Sequence, residues 1–436
     1  MGCDDPTVDD RPDPNAALGL SPPGPIVRGW RHPAVVALAV LALFSGFGQF
    51  GAVSALSDVA RHFGHITEGS TIADRAGLSG TALGVGLAVL RLASLGSLAL
   101  AGLADRVGRR RILLFTCALG LACTVAAAAS PSYWWFVAIF ALGRPLLSTT
   151  SAVAQVDAAE QTASRDRAKA VALIAAGYGV GAGLTAIVHE LGSRTLGFRW
   201  TFAIALIPLV ALGFLRRWVT EPDRFSIAAA AAEHPLPVLG AIAPAYRRRL
   251  LIVTVAAFCL AIGTGPGNSF VFLFADDVTK LRGDVVATMV FGASLAGLAG
   301  LLLGRAGADR IGRRPTAVVS MVVIALATIV TYSGSRAGLI IGYEIQIFAA
   351  SCFAPAAGVL SNELFPTSVR ASVAGWLVAG SVLGATVGLL AFGAIANSNS
   401  RFWLAAVVTA IPVILASTLF FALPETRGHE PEDLWR

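Results

Sequence analysis

The sequence predicts an all-α membrane protein of twelve transmembrane helices, built as two six-helix repeats that run in parallel. Three observations predict it. Of the 436 residues, 56 % are hydrophobic and only 14 % charged, against roughly 45–50 % and about 25 % in soluble domains. That apolar share supplies about twelve helices of ~20 residues, the length that crosses a bilayer core. Basic residues gather in alternate loops, and a charged loop sequence recurs 204 positions later. This composition excludes a soluble enzyme or a nucleic-acid-binding domain. The net charge of +7 therefore belongs to inner loops and not to a nucleic-acid partner.

Residues 1–33 are polar and rich in Pro and Asp, and read as a disordered cytoplasmic tail. Apolar runs follow at 34–56, 78–102, 112–130, 133–156, 168–188 and 200–215, then at 250–274, 285–304, 316–333, 338–360, 372–395 and 402–423. Each is expected to be a helix, because a spanning segment must satisfy its backbone groups internally. Between the sixth and seventh runs lies the longest inner connection, 216–249, which opens on Arg216-Arg217 and closes on Arg247-Arg248-Arg249. It separates an N-terminal half, 34–215, from a C-terminal half, 250–423, and a short cytoplasmic tail, 424–436, ends the chain. Cys117, Cys123, Cys259 and Cys352 fall inside apolar runs and form no disulfide framework or metal spacing. No metal and no cofactor is expected.

Orientation follows from counting. With both termini inside, the five inner loops hold 17 basic residues and the six outer loops hold 8. The positive-inside rule then places both termini in the cytoplasm.

The repeat is specific. Asp105-Arg106-Val107-Gly108-Arg109-Arg110 returns as Asp309-Arg310-Ile311-Gly312-Arg313-Arg314. Glu160 and Arg167 return as Glu363 and Arg370, Gly177 and Gly181 as Gly380 and Gly384, Pro208 as Pro412, and Glu221 as Glu425. Six helices per repeat is an even number, so the halves share one orientation. This is the parallel repeat of a transporter whose halves rock about a central site.

At these residues the chain resembles the major facilitator superfamily, over nearly everything after residue 33. The loop after helix 2 is similar to its signature Gly-x-Leu-Ala-Asp-Arg-x-Gly-Arg-Arg, with Ala101 in place of the first Gly. The stretch Glu363-Leu-Phe-Pro366-Thr367-Ser-Val-Arg370, with Gly375 and Trp376 after it, resembles the loop between helices 10 and 11 of sugar porters and organic-acid symporters. Leu423-Pro424-Glu425-Thr426-Arg427-Gly428 resembles the sugar-porter ending. The resemblance implies a cytoplasmic gate: Glu160, Arg167 and Glu221 join Arg109 or Arg110 in one half, and Glu363, Arg370 and Glu425 join Arg313 or Arg314 in the other. Asp105 and Asp309 are placed to meet a helix N-terminus or a facing Arg, since the planar Arg fork suits carboxylates.

Charges inside the membrane are costly and usually functional. Arg91 and Arg144 lie near mid-membrane in helices 2 and 4, and Glu344 lies in the outer third of helix 10. In the family, helices 1, 4, 7 and 10 line the cavity, which implies that Arg144 and Glu344 face it. Gly46-Phe47-Gly48 resembles the Gly-Phe-Asp of acid symporters without its Asp, so the first half has no mid-membrane carboxylate. Asp58, Asp276 and Asp277 sit near outer helix ends and are expected to be solvated. Gln49, Thr264, Asn268, Gln346, Tyr178 and Trp376 are further polar or aromatic candidates. The glycines and Pro of 263–268 point to a bent or broken helix 7. In helix 5, Ala182 replaces the Pro of the drug-antiporter motif, so its glycines read as close packing.

The expectation is a secondary active transporter in the cell membrane, moving a small organic solute by alternating access, coupled to a proton or another ion. An organic anion or a sugar-like metabolite is favoured. Efflux of drugs or metabolites is the alternative, and a non-transporting sensor on the same fold is a second. No set of residues for a membrane enzyme, and no phosphate-binding Gly-x-x-x-x-Gly-Lys-Ser/Thr run, is present. The partners expected are the solute, the coupling ion and the bilayer, with no nucleic acid, and the chain is expected to be a monomer. Cysteines introduced into sealed cells test the orientation: His65→Cys is expected to label from outside and Arg110→Cys is not. The reverse pattern would invert the topology.

Overall fold

The computed structural model describes residues 29–67, 72–162, 164–221, 243–366, 369–397 and 401–427, without the side chains of residues 105, 106, 164, 165, 167, 168, 193, 194, 362 and 371. Residues 1–28, most of the 216–249 connection and the end of the chain lie outside the described residues, as do the side chains of Asp105, Arg106 and Arg167.

The spanning helices are α1 (Pro33–Ser54, continued by Leu56–Phe63), α2 (Gly80–Ala93 and Gly96–Val107), α3 (Arg109–Ala127), α4 (Tyr133–Gln161), α5 (Ser164–Leu196) and α6 (Arg199–Ala203 and Leu206–Leu215). The second half holds α7 (Pro244–Ser269), α8 (Gly283–Arg310), α9 (Arg313–Thr331), α10 (Arg336–Glu363), α11 (Arg370–Asn397) and α12 (Phe402–Ser417, with a 3₁₀ turn Thr418–Ala422). Eleven are long and apolar enough to cross a membrane, and α6 is a shorter apolar helix. Several run past their apolar stretch; α5, expected over 168–188, occupies Ser164–Leu196. Hydropathy marks the hydrocarbon-embedded part, whereas the helix ends where capping or a turn residue ends it. Ser79, Ser132 and Ser335 cap α2, α4 and α10 with their side chains. Gly108 and Gly312, at φ +113° and +127°, turn the chain between α2 and α3 and between α8 and α9.

The expected break in α7 falls elsewhere. The helix runs through Pro266 and ends at Ser269. A short turn and a single π-helical stretch, Phe274–Val278, then carry the chain to its outer end. Pro266 removes one N–H, but its own carbonyl still accepts from Phe270 N at 3.0 Å, so the helix tolerates it.

Each half is knitted by glycines at equivalent places. A side chain at Gly177 or Gly181 of α5 would strike the backbone of Ala39 or Leu43 on α1, and one at the equivalent Gly380 or Gly384 of α11 would strike Thr254 or Phe258 on α7. Such close backbone approach needs the smallest residue. The sequence repeat is thus a repeat of packing: α1 on α5, and α7 on α11.

The apolar cores show how the halves meet. One buried cluster draws on both halves, including Leu83, Phe136 and Phe202 from the first and Phe270, Phe392 and Phe402 from the second. Two further clusters stay separate, one inside the first half around Leu38 and Leu113 and one inside the second around Met321 and Leu360. The shared core lies at the end carrying residues 56–63 and 270–278, the outer end in the orientation given by the basic residues. Here Gly84 of α2 abuts the carbonyl of Leu389 on α11, and Gly80 N–H donates to Asn397 Oδ1 at 2.9 Å.

Glycine exchanges test this packing. Gly181→Val and Gly384→Val are expected to lower the melting temperature in detergent by several degrees, since overpacking costs about 1–3 kcal/mol. Gly179→Val, on the same helix with nothing within 4 Å of an added Cβ, is expected to leave it unchanged. Equal melting of all three would remove the role assigned to close approach.

Candidate functional site

Midway along the bundle a cavity of about 210 Å³ opens between α1, α2, α4 and α5 on one side and α7 and α11 on the other. Of the eight sequence candidates for binding or coupling, it gathers five: Gln49, Arg91, Arg144, Tyr178 and Asn268. Thr264, Ser269 and the apolar Phe50, Leu87, Phe140 and Leu389 complete much of the wall. Among the described residues no Asp or Glu lines it.

Arg144 is held by its neighbours. Its Nε donates to Ser94 Oγ at 3.3 Å, where α2 turns between its two segments, and its guanidinium donates to the Gln49 carbonyl at 2.9 Å. The Gln49 side chain is already committed: Nε2 donates to Ser45 Oγ at 2.8 Å, and Oε1 accepts from Ser148 Oγ at 3.1 Å. Gln49 therefore positions Arg144 and offers little to a ligand. Arg91 Nε is buried with no hydrogen-bond partner. On the opposite wall Asn268 Oδ1 is in the same condition.

Three candidates fall elsewhere. Glu344 rests beside Gly292 of α8, where its carboxylate fills the space a side chain there would need, and it does not line the cavity. Gln346 is fully buried behind α7, 2.8 Å from where a Cβ on Gly267 would stand, and neither amide atom has a partner. Trp376 is 39 % exposed on α11 and also stands outside the cavity. Among the described residues α10, one of the helices the resemblance places at the cavity, contributes none to its lining, and α11 contributes Leu389.

The outer end holds an ionic cluster that the sequence reading placed in solvent. Arg61, at the end of α1, pairs with Asp276 at 2.8 Å and with Asp277, both on the π-helical stretch after α7. Ser57 Oγ lies 2.9 Å from a carboxylate oxygen of each. Asp277 is only 4 % exposed. Asp58, 3.7 Å from Arg61, also meets His189 Nε2 at 3.3 Å, and His189 Nδ1 meets Thr201 Oγ1 at 2.9 Å. The signal in the sequence was a lone outer Arg at one gate-helix end and an Asp-Asp pair at the equivalent end of the repeat. Burial, which no local pattern shows, turns them into partners.

The inner end repeats its chemistry in both halves. Arg109 pairs with Glu160 at 2.7 Å, and Arg313 with Glu363 at 2.9 Å. Glu221 accepts from the backbone N–H groups of Arg109 and Arg110 at 2.5 and 3.1 Å. Glu425 accepts from those of Arg313 and Arg314, both at 3.0 Å. These are the free donors of a helix start, so a carboxylate is favoured there. Burial raises the Glu425 carboxyl, but backbone donors from Arg427, Arg313, Arg314 and Thr426 outweigh it and hold it below its ordinary value. Arg110 and Arg314 reach the carbonyls of Val219 and Leu423, and Arg370 Nε donates to Phe365 O at 3.0 Å. The expectation for Asp309 is corrected. It is exposed and 3.9 Å from Arg305 on its own helix, because Glu425 already occupies the helix start that Asp309 was expected to meet. Arg310 is exposed as well.

A sequence profile described as Major Facilitator Superfamily matches residues 38–306 and 279–434. A protein of Cupriavidus pinatubonensis named as a 4-methylmuconolactone transporter is 27 % identical over 377 residues, covering 82 % of this chain and 85 % of that one. One of Haemophilus influenzae named as a metabolite transport protein is 26 % identical over 359 residues, covering 76 % and 84 %. The inward-open xylose transporter of E. coli superposes with a TM-score of 0.72 at 17 % identity, covering 92 % of this chain and 98 % of that one; this likeness is one of fold.

The outer cluster generates a test. Arg61→Gln leaves two carboxylates without their cation, so the outer seal is expected to loosen. A cysteine at Phe50, in the cavity wall, is expected to label from outside several-fold faster in that background. Unchanged labelling would reduce the cluster to surface charge.

Proposed function

The chain belongs to the Major Facilitator Superfamily, whose members are transporters and not enzymes, and we propose that it is a secondary active transporter of a small organic anion. One observation carries the reading: Arg91 and Arg144 share a mid-membrane cavity whose walls hold no carboxylate among the described residues. Arg stays protonated under ordinary conditions, and a buried cation without a counter-charge is expensive. A carboxylate brought by the substrate supplies it. The relative named for 4-methylmuconolactone supports a small organic metabolite as cargo.

Transport proceeds by alternating access. A shared outer core, the Arg61 cluster and separate inner cores describe a carrier sealed on the outside. The inner pairs, Arg109 with Glu160 and Arg313 with Glu363, and the capping Glu221 and Glu425 brace the Asp-Arg-x-Gly-Arg-Arg loops of each half, and the cytoplasmic gate forms where these braced ends meet. Both termini face the cytoplasm, and the direction is uptake, driven by a proton or another ion. The coupling group lies outside the cavity, and Glu344 is the deep carboxylate available for it.

Proteoliposome uptake tests this under imposed proton or sodium gradients, with small carboxylates set against neutral sugars. Arg144→Gln is expected to cut carboxylate binding roughly 10- to 100-fold, the worth of a charge-assisted hydrogen bond of about 1.5–3 kcal/mol. Glu344→Gln is expected to bind the carboxylate normally, because Glu344 does not touch the cavity. Equal uptake of a neutral sugar, or normal binding by Arg144→Gln, would overturn the anion assignment.

A further inference from the structure

The cavity is polarised across the boundary between the halves. The first half presents donors: Arg144 keeps N–H groups beyond the two given to Ser94 and Gln49, and Arg91 Nε is buried and unpartnered. The second half presents mostly acceptors, beside the Asn268 amide N–H₂. Asn268 Oδ1 is buried and unpartnered. Thr264 Oγ1 donates its one hydrogen to Leu260 O at 3.0 Å, and Ser269 Oγ donates its own to Gly265 O at 2.8 Å. A hydroxyl whose hydrogen is committed has only lone pairs left to offer. Donors therefore face acceptors across an apolar middle formed by residues such as Leu87, Phe140 and Leu389.

Building on the anion reading, we propose that the substrate is a hydroxylated carboxylate, its carboxylate on Arg91 and Arg144 and its hydroxyl donating to Asn268, Thr264 or Ser269. A second carboxylate would meet the lone pairs of Asn268 Oδ1, Thr264 Oγ1 and Ser269 Oγ beside the single Asn268 amide N–H₂, and among the described residues that wall holds no cation to balance its charge. An ammonium group would be a donor there, but among the described residues no Asp or Glu lines the cavity to balance it. A neutral hydroxyl satisfies the acceptors without a buried charge. Such a substrate touches both halves at once, so its binding draws them together.

Calorimetry on the purified full-length protein tests this with four matched probes: trans-4-hydroxycyclohexanecarboxylate, cyclohexanecarboxylate, trans-4-methoxycyclohexanecarboxylate and cyclohexane-1,4-dicarboxylate. The hydroxy acid is expected to bind about tenfold more tightly than each of the others, the loss when a buried acceptor is left without its donor. Asn268→Leu is expected to abolish that preference, read as the ratio of hydroxy-acid to cyclohexanecarboxylate affinity within the variant. Thr264→Val, a near-isosteric exchange, gives the same test with less risk to folding and is expected to narrow the preference. Equal affinities for the hydroxy and methoxy acids, a preference for the dicarboxylate, or a preference that survives both exchanges would overturn this inference and leave the anion reading standing. Failure of all four carboxylates to bind would defeat both.

Discussion

A guanidinium at the depth of Arg91 or Arg144 has no bulk water around it, and much of the molecule answers to that constraint. Part of the answer is internal. The turn that splits α2 brings Ser94 to Arg144 Nε, and the Gln49 carbonyl takes a second hydrogen. Gln49 is in turn fixed by Ser45 and Ser148. These contacts are dipoles, not charges. They orient the guanidinium without neutralising it, because an ion in a low-dielectric site is balanced by an opposite charge and not by a carbonyl alone. The remaining demand is left at the cavity wall, where a ligand can meet it. A carrier gains from this arrangement: the empty site is costly to collapse around, and the filled site can close.

The rigid parts of the two halves rest on a different principle. In hydrocarbon, apolar side chains gain little from leaving lipid, so helices associate by close packing. Glycines at 177 and 181 and at 380, 384 and 388 let α5 lie on α1 and α11 lie on α7 with backbones touching. The same helices supply Gln49 and Tyr178 on one side and Asn268 and Leu389 on the other. Packing without slack thus fixes the side chains of the site to within the precision of the helix backbones.

The architecture was largely legible in the sequence, because hydropathy acts segment by segment. The inner clusters were legible too, since duplicated Glu and Arg residues at fixed offsets point to equivalent positions. Sequence position gives depth but not direction about the helix axis. Glu344 has the depth of a cavity residue, yet its side chain rests against Gly292 of α8, while Trp376 lies about 20 Å along α11 from Leu389, the α11 residue that does line the cavity. The helix end of α7 was misplaced for a related reason: Pro266 and its glycines permit a break without requiring one, and the neighbouring Tyr332 hydroxyl, 2.9 Å from Gly267 O, steadies the helix through that stretch. The outer cluster was missed because burial of Asp277 depends on how the halves meet, which neither half encodes alone.

Arg61 with Asp276 and Asp277 joins the first half to the second, whereas Arg109 with Glu160 and Arg313 with Glu363 each join helices of a single half. These pairs therefore do different work. An ion pair inside one half stiffens it and moves with it as the halves rock. A pair between halves must break when the outside opens, so its strength sets how much the sealed state is favoured. The outer cluster has two carboxylates for one Arg, one of them buried, and a serine hydroxyl within reach of both. Breaking it leaves two like charges on adjacent residues. In the proposed alternating-access cycle, the sealed state is thus held by contacts whose loss is costly on one side of the membrane only, and a substrate reaching across the cavity would supply the opposing pull. The balance between a fixed charge cluster at the rim and a removable charge at the centre is what lets a solute decide when such a carrier turns over.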